Sequence, residues 1–203
     1  MNIIEQSAEL IATNAQQPAH FIERVGRIAY QSYDKIDATS AERMVSTLLS
    51  RKHESVLEHL VCTIIGVTNR GVSHELVRHR IASYTQQSTR YVDEKDMTVI
   101  APSWLSRHAD NSIVYDMWES AMLSAERYYR ELRGLGCTKQ EARGVLPNDL
   151  ATEIAITMNA REWRHFLRLR TASDAHPDMI VFAECCQQVL SGYYPKLFAK
   201  DSL

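Results

Sequence analysis

None of the seven glycines in this 203-residue chain falls in a Gly-x-Gly-x-x-Gly or P-loop pattern. That excludes the standard Rossmann cradle, in which backbone N–H groups approach a phosphate at positions where no Cβ intervenes. A phosphate ligand here has to be held by side chains. One segment is suited to it: Arg78 to Tyr91 reads Arg-His-Arg-Ile-Ala-Ser-Tyr-Thr-Gln-Gln-Ser-Thr-Arg-Tyr. Only Ile81, Ala82 and the two tyrosines could feed a core, so burial gives the stretch little reason to be ordered. Guanidinium groups make forked, charge-assisted hydrogen bonds to phosphate, and hydroxyls and amides supply neutral ones.

If this segment is extended past Ile81, Tyr84, Gln86, Ser88 and Arg90 share one face, and Ser83, Thr85, Gln87, Thr89 and Tyr91 the other. The plain alternative is a solvated basic loop or a phosphate-backbone patch. Net charge is −2 and the pI about 6.4, so the arginines are clustered and not in surplus, which argues against a general nucleic-acid binder. Apolar content of 45% and charge of 24% suit a soluble globular protein with one sizeable core. No apolar run approaches the roughly 18 residues of a membrane span, and Met1–Glu5 lacks a basic, then apolar, leader. The expected compartment is cytoplasmic. The four cysteines, Cys62, Cys137, Cys185 and Cys186, form no Cys-x-x-Cys and read as reduced, packed thiols.

Periodicity predicts helices over Pro18–Tyr33, Ser40–Lys52 with Ser40 as N-cap, Gly71–His79, Asn111–Arg133, Thr138–Gly144, Ala160–Arg170 and Pro177–Tyr193. It predicts strands over His59–Thr68 and Asp149–Met158. With no repeat, linker or low-complexity stretch, the expectation is a single α+β domain over residues 1–203, an antiparallel or mixed sheet packed by several long helices. On Ala160–Arg170, Arg161, His165 and Arg168 share one face, and Trp163, Phe166 and Arg170 another. Arg170 thus either extends an aromatic stripe or ends the helix on its own carbonyls. His53 and His59 are six apart and would point about 240° from each other on a helix, so a zinc site is not expected, and no metal is assigned.

Arg78-His79-Arg80, seven residues and then Ser88, with Arg90 two positions on, resembles the signature of the flavin-dependent thymidylate synthases. Three further blocks resemble that family in the same order: His53-Glu54-Ser55 with Glu58 and His59, Ala142-Arg143-Gly144-Val145-Leu146-Pro147, and Asn159-Ala160-Arg161 followed by His165-Phe166-Leu167 and Leu169-Arg170.

The resemblance implies reductive methylation of dUMP to dTMP. Methylenetetrahydrofolate would be the carbon donor, FAD the hydride carrier and NADPH the reductant. It also implies a homotetramer with active sites shared between subunits. It implies that Glu75, Arg78, Gln86, Gln87, Ser88, Thr89, Arg90, Arg143 and Arg170 hold dUMP. Arg170 would polarise the ring, with Ser88 the second catalytic candidate, as a hydrogen-bond contact and not a nucleophile. His53, Ser55, Glu58, Arg78, His79, Arg80, Ile81, Gln86, Asn159, Arg161 and His165 would belong near FAD. Thr85-Gln86 stands where many members have Asn-Glu, and Glu75 where glutamine is frequent. The competing class is a non-catalytic nucleotide- or RNA-binding module using the same arginines, with Tyr84 and Tyr91 as stacking partners.

Overall fold

Two nine-residue runs rich in β-branched residues, Val61–Asn69 and Ala151–Asn159, pair antiparallel along their whole length, from Val61 opposite Asn159 to Asn69 opposite Ala151. The computed structural model describes residues 1–203. In chain order the elements are β1 (Asn2–Ile4), β2 (Ser7–Thr13), α1 (Pro18–Ile28), α2 (Ser40–Ser50), β3 (Val61–Asn69), α3 (Arg70–Leu76), β4 (Ser83–Gln86) and β5 (Thr98–Ile100). Then come α4 (Ser112–Gly134), α5 (Lys139–Ala142), β6 (Ala151–Asn159), α6 (Ala160–Arg170), α7 (Pro177–Tyr193) and α8 (Pro195–Phe198). The main sheet is antiparallel, in the order β2-β3-β6-β4, and β1 and β5 form a small parallel pair. The architecture is α+β, and the antiparallel main sheet is not a Rossmann sheet. No helix is long and apolar enough to cross a membrane.

Alternation decides which face of the sheet is covered. Cys62 and Ile64 of β3 and Ile154, Ile156 and Met158 of β6 point into the core. There they meet Trp163, Phe166 and Leu167 of α6 and Phe182, Ala183, Cys186 and Leu190 of α7. Trp163 donates its indole N–H to the Cys62 carbonyl at 3.1 Å, which pins α6 to the sheet. At Gly66 a Cβ would lie 2.5 Å from Phe182 Cζ, so glycine is what lets α7 approach this close. The opposite face is only partly covered, with Thr63 and Thr157 bonded across it at 2.9 Å. A second, smaller core under α4 joins Met97, Val99, Trp118, Met122 and Leu150.

Several boundaries differ from expectation. The first helix stops at Ile28 instead of Tyr33, and Gln31 takes a positive φ of 48° beside the exposed Tyr30. Ser40 is the first helical residue and Thr39 the cap position; the Ser40 hydroxyl turns back to the Asp37 backbone. The strand starts at Val61, not His59, because Glu54–His59 winds as a 3₁₀-helix around the buried Leu57. The helix expected over Gly71–His79 runs from Arg70 to Leu76, capped by Asn69, whose side chain accepts from the Val72 N–H at 2.8 Å. No strand was expected before Pro18. Edge strand β2 forms there because β3 supplies its hydrogen bonds, with a bulge between Leu10 and Ala12.

Candidate active site

Helix α6 follows β6 without a loop, and Asn159 makes the junction by accepting the Glu162 N–H at 2.9 Å. Its apolar stripe being spent on the sheet, Arg161, His165 and Arg168 are left facing a cleft of about 420 Å³. Glu54, Glu58, Ile81, Asn159 and Glu162 complete the lining. Arg161 pairs with Glu58, and Glu54 receives Arg164 Nε at 3.2 Å and Arg168 Nη1 at 3.4 Å. Burial opposes ionisation of Glu54, but the two guanidinium groups outweigh it and hold its carboxyl below the usual range. Of the residues expected near FAD, Glu58, Ile81, Asn159, Arg161 and His165 line this cleft; His53 and Ser55 are exposed and do not.

An adjoining recess of about 280 Å³ is lined by Arg78, His79, Arg80, Ile81, Glu162, His165, Leu169 and Arg170. The turn after α3 that carries Arg78-His79-Arg80 is clamped by Tyr84, whose hydroxyl hydrogen-bonds the carbonyls of Leu76 at 2.9 Å and His79 at 2.8 Å. Arg170 donates from Nη1 to Glu75 Oε2 and from Nε to His79 Nε2, both at 3.0 Å. It therefore binds across to another segment and does not cap its own helix. His79 Nδ1 lies 3.2 Å from Glu162 Oε1. Burial holds the His79 ring below the ordinary histidine pKa, Glu162 opposes this, and the charge on Arg170 adds to it. His79, Glu162 and His165 bring ligating atoms within 4.8 Å of one another. A cation placed among them would face the Arg170 guanidinium already seated on His79.

The remaining dUMP candidates stand elsewhere. The extended stretch ends at Gln86, so the alternation expected through Arg90 does not hold. Ser88 opens a turn, its carbonyl accepting from Tyr91 N at 3.0 Å and Val92 N at 2.9 Å. Gln86 donates its amide to the Ser73 and Thr152 hydroxyls and keeps its Oε1 without a protein partner, while Gln87 donates to Glu94 at 3.1 Å and accepts Glu153 N at 3.4 Å. Thr89 is buried. The Ser88 hydroxyl accepts from Arg90 N at 3.3 Å and has no histidine or carboxylate bonded to it. Arg78, Arg80, Arg90 and Arg143 are exposed and enter no ion pair, although carboxylates engage Arg161, Arg164, Arg168 and Arg170. No hydrogen bond or ion pair joins the Ser88–Arg90–Arg143 group to the Glu75–Arg78–Arg170 group.

Glu162 and Arg70 belong to these surroundings without having been expected there, and Glu54 and Leu169 join them from the family-like blocks without having been named as site residues. Arg70 Nη2 donates to the Gln87 carbonyl at 3.0 Å and steadies the turn. Glu162 carried a weak signal as the acid three residues after Asn159, which reads as a helix-start feature until its carboxylate is seen against His79. Burial pushes the Cys62 thiol up to about 11, which makes it a poor nucleophile at neutral pH.

A family model described as thymidylate synthase complementing protein matches residues 9–196. The chain is 36% identical over 162 residues to the flavin-dependent thymidylate synthase of Pyrococcus furiosus, covering 77% of this chain and 65% of that one. It is 35% identical over 190 residues to the enzyme of that name from Geobacter sulfurreducens, covering 89% and 81%, and 33% identical over 204 residues to that from Mycobacterium bovis, covering 92% and 81%. The chain thus spans just under two thirds of the length of its Pyrococcus relative. Among solved structures, the UMP/dUMP methylase PolB of Streptomyces cacaoi, crystallised with 5-Br dUMP, superposes with a TM-score of 0.83 at 23% identity, over 98% of this chain and 95% of that one. At that identity the likeness is one of fold.

Proposed function

The chain belongs to the thymidylate synthase complementing protein family, and from that membership we propose that it methylates dUMP to dTMP as a flavin-dependent thymidylate synthase. The observation that carries the reading is the pinned guanidinium of Arg170. Two of its nitrogens are bonded to Glu75 and His79, and Nη2 is left without a protein partner; Arg170 lines the recess. A positive charge fixed from two sides stabilises negative charge developing on a pyrimidine ring with little reorganisation. Arg78, Arg90 and Arg143, free of carboxylates, suit the nucleotide phosphate.

The residues present fit a flavin. The cleft beside α6 offers Arg161, Arg168 and His165 as donors for a pyrophosphate, and its volume is within the range of ligand pockets. FAD, when bound, supplies the hydride chemistry. We assign Glu58, Ile81, Asn159, Arg161 and His165 to its binding wall. Methylenetetrahydrofolate as carbon donor and NADPH as reductant complete the reading, which fits a cytoplasmic enzyme.

A homotetramer with shared sites belongs to the same proposal. What supports it is that the cleft has a single apolar lining residue, that Ile81 and Leu169 are exposed beside it, and that no hydrogen bond or ion pair joins the two arginine groups within one chain. A second subunit would supply the missing wall.

The test is anaerobic reduction of the purified, FAD-loaded protein followed by dUMP and methylenetetrahydrofolate. Reoxidation of the flavin with formation of dTMP is expected. A protein that takes up no FAD would overturn the reading in favour of a nucleotide-binding module. A monomer that turned over would overturn the shared-site assembly.

A further inference from the structure

We propose that Glu162 is a positioning residue for Arg170, acting through the ring of His79; this rests on the reading that Arg170 acts on dUMP. Glu162 and Arg170 lie eight residues apart on α6, about 12 Å along the axis at 1.5 Å per residue, too far to touch. His79, from the turn after α3, bridges them.

The proton positions follow from chemistry. A guanidinium stays protonated in proteins, so Arg170 Nε–H can only donate. His79 Nε2, 3.0 Å away, must therefore be the accepting nitrogen of a neutral ring. The ring proton is then on Nδ1, 3.2 Å from Glu162 Oε1, and is donated to that carboxylate. This is the arrangement by which a carboxylate selects a histidine tautomer for the partner on the other nitrogen.

The ring has little freedom to do otherwise. Glu162 and His79 are both buried. Phe166 meets the imidazole edge-on at 5.1 Å, His165 lies at 5.8 Å, and Tyr84 holds the backbone carbonyl of the same residue. The charged and titratable groups around it are Glu162, His165 and Arg170 from α6, Glu75 from α3 and Tyr84 from β4. Without the Glu162 carboxylate, Nδ1–H loses the one acceptor the structure gives it, so the ring can turn and Nε2 is no longer held toward Arg170 Nε–H. Arg170 retains only the Glu75 contact, and its orientation is no longer set from two sides. Both ring nitrogens are committed inside the protein, one to Glu162 and one to Arg170.

The test pairs a tautomer measurement with kinetics, on the flavin-loaded protein. In ¹⁵N-histidine spectra, His79 Nε2 should be unprotonated in the wild type, and the ring should show a mixture of tautomers in Glu162→Ala. In dUMP turnover, with rates taken per bound flavin, Glu162→Ala should lower kcat by about 10- to 100-fold, with KM for dUMP changing less. Glu162→Gln, whose amide oxygen still accepts from Nδ1–H, should regain most of that loss. A protonated Nε2 in the wild type would overturn the proposal, and so would wild-type kcat in Glu162→Ala. Equal losses in Glu162→Ala and Glu162→Gln, with flavin lost as well, would reduce Glu162 to a structural role. If the wild type forms no dTMP, the function reading fails, while the tautomer measurement still decides whether Glu162 sets the ring that holds Arg170.

Discussion

Arg170 Nε and His79 Nε2 lie 3.0 Å apart across 91 residues of sequence, a contact that ties the last turn of one helix to the turn after another. With the Glu75 contact it fixes the plane of the guanidinium, which a single ion pair would leave free to rotate.

Arg170→Lys tests that geometry. An ammonium is a point charge that cannot serve Glu75, His79 and a substrate along fixed directions. Turnover should fall by about 10²- to 10³-fold with flavin binding unchanged, as read by single-turnover dTMP formation. Near wild-type rates would mean that only the charge matters.

The pH dependence of stability reports on His79. Burial comes first among the causes that hold its folded-state pKa below the ordinary value near 6.5. Above that pH the ring is neutral folded or unfolded, and its contribution is fully present. As the pH falls from about 6.5 towards the depressed value, the unfolded chain takes up a proton the native ring refuses, and stability drops. His79→Gln should flatten the loss of urea-denaturation free energy across that interval. An unchanged slope would show that the buried ring titrates as it does unfolded.

Glu54 sits between two guanidinium groups, and Arg164 is the more deeply buried of them. Glu54→Gln removes the charge that balances Arg164 and should cost about 2 kcal/mol, below the range for fully buried pairs because Glu54 keeps some solvent. Chemical denaturation with and without flavin measures it. A loss below about 0.5 kcal/mol would put the pair in the class of surface bridges.

The approach of Phe182 to Gly66 gives a packing test. Gly66→Ala places a methyl 2.5 Å from Phe182 Cζ and should destabilise by about 1–3 kcal/mol. Phe182→Leu costs stability alone but makes room for that methyl, so the double variant should lose less than the sum of the two. Additive losses would show that the ring has space to move.

Local rules brought the sequence a long way. Helices Ala160–Arg170 and Pro177–Tyr193 were legible to the residue, because an apolar stripe at helical spacing, a Pro at the first turn of one and an Asn before the other act over a few residues. The absence of glycine-rich cradles correctly pointed away from a Rossmann sheet. The face carrying Arg161, His165 and Arg168 was also legible, since helical geometry alone puts it opposite Trp163 and Phe166. What sequence could not decide were the contacts that cost no local pattern. β2 is an edge strand that exists because β3 pairs with it. Gln86 and Gln87, expected to hold dUMP, have their amide nitrogens bonded to Ser73, Thr152 and Glu94, contacts no local pattern announces. Glu162 and Glu75 acquire their roles only when folding brings them to His79 and Arg170 across 83 and 95 residues. Residue types determine which bonds a site can make. Which of those bonds are made depends on what the fold places within 3 Å, and that is information no single segment holds.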